Sequence, residues 1–233
     1  MTSSNERSTR SDNATAPVTV PSDPKGGPDF EVRELRRHEF GEAVALLARG
    51  MRDNPLHVAA YGSDPERRLH RHERLVRGLF RVFASQQPLC VARDGAIMAA
   101  TGVAPVGTCS ATLGQRLAFL PNIIASGPGT AVRVGKWVSA WAAHDPDYPH
   151  VHLGPLAVDA DLQGQGIGSL LIREHCQRLD DAQEIGYLET DKAENVRFYE
   201  RFGYHVIGDA KVLGIPNWFM QRDPVPTQAS RTR

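Results

Sequence analysis

The sequence predicts a single α/β domain, and three observations lead there. Apolar residues recur at helical spacing over 39–51 and again over 65–84. Short stretches of alternating or β-branched residues, bounded by turn formers, lie between and after these two. From residue 150 onward the chain reads strand, Gly-rich loop, helix, strand, helix, strand, strand. A length of 233 residues, with apolar and charged contents of 41% and 23%, suits one globular core of ordinary composition.

Residues 1–28 are dominated by Ser, Thr, Asn, Asp, Pro and Gly and carry too few large apolar groups to offset the entropy of ordering. A disordered tail is expected there and again over 223–233, which leaves 29–222 as the domain. Lys plus Arg equals Asp plus Glu at 27 each, so the basic excess of a nucleic-acid binder is missing. No apolar run approaches the ~20 residues of a membrane helix, and the start has no secretory apolar stretch. A soluble cytoplasmic protein, monomer or homodimer, without nucleic-acid or membrane partner, is the expectation. Cys90, Cys109 and Cys176 are scattered and odd in number, which fits reduced thiols and suggests no metal site.

Residues 30–35 alternate as a first strand. The helix over 39–51 has Phe40, Val44, Leu46 and Leu47 on its apolar side and is expected to end before an Asn54-Pro55 break. The helix over 65–84 presents Leu69, Leu75, Leu79, Phe80 and Phe83, with Glu66, Arg67 and Arg68 read as a solvated face. Strands over 89–93 and 97–103 are joined by an Asp94-Gly95 turn. Residues 108–146 look helical in pieces, interrupted at Pro121 and at Gly127-Pro128-Gly129. Tyr61, Trp137, Trp141 and Tyr148 read mainly as core, with an acceptor pocket as the alternative.

The segment after 150 carries the chemistry. A strand over 150–158 leads through a polar turn to a helix opening at Gly166 and running to about Leu179. Gly168, Leu171, Ile172, Cys176 and Leu179 share one side of that helix, so Gly168 allows close packing on the sheet. The first amides of a helix have no internal acceptor, and the helix dipole favours an anion in front of them. Gly164, Gly166 and Gly168 keep that space clear, and Gln163 can orient the loop. A Walker loop is excluded because no GK[ST] follows, and a dinucleotide fingerprint because the glycine spacing is wrong. A strand over 186–190 follows, then a D-x-x-E start with Asp191 as expected N-cap, and a helix closed by Gly203. Asn195 and Tyr199 share one face of it.

The run from Leu156 to Leu171 resembles the coenzyme A motif of the GNAT family of N-acetyltransferases, with its Q/R-x-x-G-x-G/A signature met by Gln163, Gly166 and Gly168. Ala160 stands where many relatives have proline. Asn195, Tyr199, Gly203 and Tyr204 are similar to the same family's N-x-x-x-Y-x-x-x-G-[FY] segment, in the expected order. The stretches 187–201 and 216–222 resemble most the branch that holds puromycin N-acetyltransferase and its actinobacterial relatives. The likeness is strong over 150–222 and weak over 30–148, where the acceptor side lies.

The resemblance implies a mixed, mostly antiparallel sheet splayed between two parallel strands, with helices on both faces. It implies acetyl-CoA as cosubstrate, bound by Leu156, Val158, Gln163, Gly164, Gly166, Ile167, Gly168, Ser169, Asn195 and Tyr199. It implies direct attack by a primary amine in a ternary complex, with Tyr199 as general acid toward the leaving thiolate. His152 and Glu189 are the two candidates for base, His150 a weaker third. The acceptor expected is a small molecule; a protein lysine or N-terminus, or a non-catalytic acyl-CoA sensor, are the alternatives.

Overall fold

The computed structural model describes residues 18–19, 30–82, 87–108 and 112–226. The strands are β1 (Val18–Thr19), β2 (Glu31–Glu34), β3 (Leu89–Arg93), β4 (Ala96–Ala104), β5 (Val151–Val158), β6 (Gly186–Thr190), β7 (His205–Val212) and β8 (Ile215–Arg222). They form one sheet in the order β1-β2-β3-β4-β5-β6-β8-β7. Among the described residues only β5 and β6 run parallel; the other pairs are antiparallel. The helices are α1 (Phe40–Met51), α2 (Pro55–Tyr61), α3 (Pro65–Val82), α4 (Leu113–Ile124), α5 (Pro128–Ala142), α6 (Ile167–Ala182) and α7 (Ala193–Glu200). Among the described residues no helix is long and apolar enough to cross a membrane.

Side chains alternate along β3 and so feed two cores. Leu89 and Val91 meet Ile167, Leu171 and Ile172 of α6 on one face. Cys90, between them, meets Leu46 and Leu47 of α1 and Val76 of α3 on the other. A third cluster joins Leu56, Ala60 and Tyr61 of α2 to Val134 and Trp137 of α5 and Val212 of β7. The layers are closely applied: a Cβ on Gly50 of α1 would lie 2.7 Å from the Ala157 Cβ of β5. A buried ion pair ties β2 to the start of α1, with Arg33 donating to both oxygens of Glu39 at 2.8 and 2.7 Å.

Several local expectations are corrected. Asn54-Pro55 does not merely end a helix; Pro55 is the first residue of α2, where a missing N–H costs nothing and a fixed φ helps. Pro121 lies inside α4, which continues through it. The buried side of α3 runs through Arg68, His72, Val76 and Phe80, while Leu69, Leu75 and Leu79 are half-buried. Arg68 is thus not solvated. It donates to the carbonyls of Arg52 and Gly62 at 2.7 and 2.8 Å, neutralising the C-terminal ends of α1 and α2 together. Within the tail expected over 1–28, Val18 and Thr19 pair with β2. Phe83 and Cys109 lie outside the described residues, as do most of both expected tails. Cys90 and Cys176 are buried free thiols.

Candidate functional site

The loop between β5 and α6 is built by short-range bonds. The Asp159 carboxylate accepts from the Asp161 N–H at 3.2 Å, and the Asp159 N–H is fixed on the Met98 carbonyl of β4 at 2.9 Å. The Gln163 side chain donates to the Val158 carbonyl at 3.3 Å, so it does brace the turn. Gly164 and Gly166 have φ of +79° and +84°, and a Cβ at either would meet nothing within 4 Å. Both glycines face open space in front of the first turn of α6, whose leading amides have no intrahelical acceptor. Gly168 plays the other part: a Cβ there would lie 3.2 Å from Val158 Cγ2, so its absence lets α6 press on β5.

Beside this turn the sheet opens. On its β4 side, β5 pairs Leu156 with Thr101 and Leu153 with Val103, which leaves Gly102 opposite Gly154-Pro155 in a bulge. On its β6 side only two pairs form, Val151 with Gly186 and His152 with Tyr187. Beyond them β6 stays with β8, pairing Leu188 with Met220 through Thr190 with Trp218, while β5 stays with β4. The facing edges of residues 154–158 and 188–190 therefore diverge, and their backbone groups do not pair with each other. A proline at the branch removes one donor from the ladder.

Helix α7 flanks the gap. Asp191, the expected N-cap, does not cap it; Lys192 occupies that place without a side-chain bond. The buried Asp191 carboxylate instead accepts the Leu56 N–H at the head of α2 at 2.6 Å. Asn195 donates to Thr190 Oγ1 at 3.1 Å, which leaves its amide oxygen outside that bond. Tyr199 is buried, with its ring 5.2 Å from Phe198 and 5.9 Å from Tyr204. Burial pushes its hydroxyl pKa well up, so it remains protonated at neutral pH. The helix end is a Schellman turn: Gly203 at φ +88°, with Tyr204 N–H on the Tyr199 carbonyl at 3.3 Å and Gly203 N–H on Glu200 at 3.1 Å.

His152 and Glu189, read from sequence as rival bases, form one unit: Nε2 of His152 lies 2.8 Å from Oε2 of Glu189. The pair spans β5 and β6 at the point where they part. Glu189 is 4% exposed and His152 24%, so the imidazole reaches the gap and the carboxylate supports it from behind. Since a carboxylate only accepts, Nε2 carries the hydrogen and Nδ1 faces away. Asp145, in the loop before β5, approaches Nδ1 at 3.9 Å and Nε2 of His150 at 3.3 Å. Asp145 was not singled out from sequence, because nothing in its own loop marks it. The available signal was His-x-His at 150–152, which puts two imidazoles on one side of a strand.

Leu156, Val158, Ile167, Phe198 and Tyr199 belong to one apolar cluster, so the strand, the helix start and α7 converge. Ser169 N–H closes the first turn of α6 on the Gly166 carbonyl at 2.9 Å. Of the aromatic residues weighed for an acceptor pocket, Tyr61 and Trp137 are core. Trp141 donates to Asn217 at 3.0 Å, and Tyr148 bonds Gln221 near the chain's surface.

A family model described as "Acetyltransferase (GNAT) domain" matches residues 128–206. Among solved structures, one described as histone acetyltransferase HPA2 and related acetyltransferase from Corynebacterium glutamicum aligns at TM-score 0.65 and 18% identity, covering 85% of this chain and 98% of that one. An agmatine N-acetyltransferase aligns at 0.60 and 16% identity over 83% and 99% of the two chains. A polyamine N-acetyltransferase from Drosophila melanogaster aligns at 0.60 and 17% identity over 84% and 100%. At these identities the likeness is one of fold.

Proposed function

We propose that this chain, which carries an acyltransferase domain of the GNAT type, moves an acetyl group from acetyl-CoA to the primary amine of a small molecule. The observation that carries the reading is the parting of β5 and β6 at His152, directly beside an unobstructed helix start. A coenzyme with an anionic end and a slender amide-bearing arm fits that arrangement. The open space at Gly164 and Gly166 and the leading amides of α6, at Ile167 and Gly168, suit its diphosphate. The unpaired edge around Leu156 and Val158, together with Asn195, suits the arm.

The bound thioester supplies the activated acyl group; the protein's residues handle position and protons. His152, oriented by Glu189, accepts the proton of the incoming amine through Nδ1. Tyr199, kept protonated by burial, donates to the departing thiolate. The backbone of residues 154–158 offers N–H groups to the oxygen on which charge develops. Direct attack in a ternary complex needs no covalent enzyme intermediate.

A small amine is favoured by the fold-level likeness to enzymes named for agmatine and polyamines. The structure named for a histone acetyltransferase keeps a protein acceptor as second reading. The likeness to the puromycin N-acetyltransferase branch rests on residues 187–201 and 216–222 and supports the small-molecule reading.

The test is acetyl-CoA turnover read by thiol release, with mono-, di- and polyamines, amino-nucleosides and lysine or N-terminal peptides. Turnover of one or more small amines is expected. Acetylation of peptides alone would replace the acceptor assignment. Coenzyme A binding without turnover of any amine would make the domain a sensor.

A further inference from the structure

The group Asp145, His150 and His152 has a feature that proton transfer alone does not require. His150 Nδ1 lies 2.9 Å from the Tyr148 carbonyl, which can only accept, so Nδ1 carries a hydrogen and Nε2 is the nitrogen turned toward Asp145, at 3.3 Å. His152 is held the same way by Glu189 at 2.8 Å, which leaves its Nδ1 as the nitrogen turned toward Asp145, at 3.9 Å. One ring nitrogen of each histidine and an oxygen of Asp145 all lie within 4.8 Å of one another. Three potential ligands thus converge on one point, and each imidazole is aimed by a partner on its far side.

We propose that Asp145, His150 and His152 form a binding site for a divalent transition-metal ion of the zinc class. The donor set, two imidazoles and a carboxylate, suits zinc or cobalt rather than calcium or magnesium. The supports match what such ions require behind their ligands. Glu189 is the carboxylate behind one histidine and the Tyr148 carbonyl the acceptor behind the other. The Asp145 contacts of 3.3 and 3.9 Å are close to the spacing of ligand atoms each about 2 Å from a shared ion. Three protein ligands would leave a fourth position open. Because the ion would occupy Nδ1 of His152, it would block the nitrogen that accepts the amine proton. Metal binding is therefore inhibitory to the proposed acyl transfer.

The experiment uses the full chain, freed of metal with a chelator and then dialysed. Cobalt(II) is titrated while its visible d–d absorption is followed, and zinc is titrated calorimetrically. One ion per chain is expected, with the intense bands of four- or five-coordinate cobalt. Asp145→Asn and His150→Gln should abolish those bands, and Glu189→Gln should weaken binding ~10–100-fold. Each variant's fold is checked by circular dichroism and coenzyme A binding. If the variants misfold, the wild-type chain decides: zinc should protect residues 150 and 152 from carbethoxylation mapped by mass spectrometry. No binding, binding unchanged in both Asp145→Asn and His150→Gln, or no protection would overturn the proposal. None of these readouts depends on turnover, so the metal site and the transferase reading stand or fall separately.

Discussion

Tyr199 is buried beneath Phe198 and Tyr204, and that burial raises its hydroxyl pKa, so the residue can donate a proton but hardly lose one unaided. If it protonates the leaving thiolate, Tyr199→Phe should lower kcat by ~10²–10⁴-fold, the range for a positioned general acid. The phenyl ring keeps the packing, so coenzyme A affinity should change less than about threefold, measured by calorimetry beside steady-state kinetics. Equal losses in kcat and affinity would remove Tyr199 from the acid role. The place of Tyr199 on α7 was legible from sequence because Asn195 and Tyr199 stand at helical spacing in a recognisable segment. The candidate base was only half legible. His152 and Glu189 lie 37 positions apart in sequence, and only the parallel start of β5 and β6 makes them one hydrogen-bonded pair. Asp145 could not be read at all, since a loop aspartate acquires meaning only from what folds against it.

The β5 to α6 turn was the most legible element, because its glycines act through the backbone and need no distant partner. Gly166 combines φ of +84° with open space, whereas Gly135 in α5 has open space and ordinary helical backbone. Gly166→Val should therefore cost about 1–2 kcal/mol of stability through strain alone. It should also raise the Kd for coenzyme A ~10-fold or more by putting a branched side chain in the cradle. Gly135→Ala should instead stabilise by ~0.5–1 kcal/mol and leave coenzyme A binding unchanged. Thermal unfolding and calorimetry read both; unaltered coenzyme affinity in Gly166→Val would place the diphosphate elsewhere. Elements set by tertiary contact were misread. Asp191 has the spacing of an N-cap, yet its carboxylate bonds the Leu56 N–H of α2, 135 positions earlier in sequence. Arg68 belongs to a charge run, yet it is buried because the ends of α1 and α2 need a cation where it lies.

At the scale of the whole molecule, three of the four histidines buried among the described residues, His57, His72 and His175, bear on the response to acid. His57 and His72 pack ring against ring at 4.3 Å between α2 and α3, and His175 on α6 lies 3.0 Å from the Tyr204 hydroxyl. Burial holds His72 and His175 down at about 3, and burial followed by the neighbouring His72 holds His57 well below the usual imidazole range. All three are neutral in the fold, while in the unfolded chain each takes up a proton near pH 6.5. Below that pH the unfolded state binds more protons, so stability is complete above about 6.5 and declines as pH falls toward 3. Each histidine contributes a slope of up to about 1.4 kcal/mol per pH unit in that window. Glu39 adds to the loss deeper in acid: Arg33 holds it down at about 2, so its contribution fades from about pH 4.5 downward. Urea unfolding at a series of pH values should therefore show a steep loss between pH 6.5 and 4.5, with uptake approaching three protons. His72→Leu is the sharper probe. Among the described residues neither ring nitrogen of His72 has a hydrogen-bond partner, nor do Nδ1 of His57, Tyr61 Oη or Trp137 Nε1 beside it. An apolar side chain of similar size should then keep or raise stability at pH 7, by up to ~1–3 kcal/mol, and reduce the acid slope by one proton. A variant that loses stability at neutral pH and keeps the full slope would show that His72 is bonded and charged in the fold. The α2–α3–α5 corner would then need a different electrostatic account.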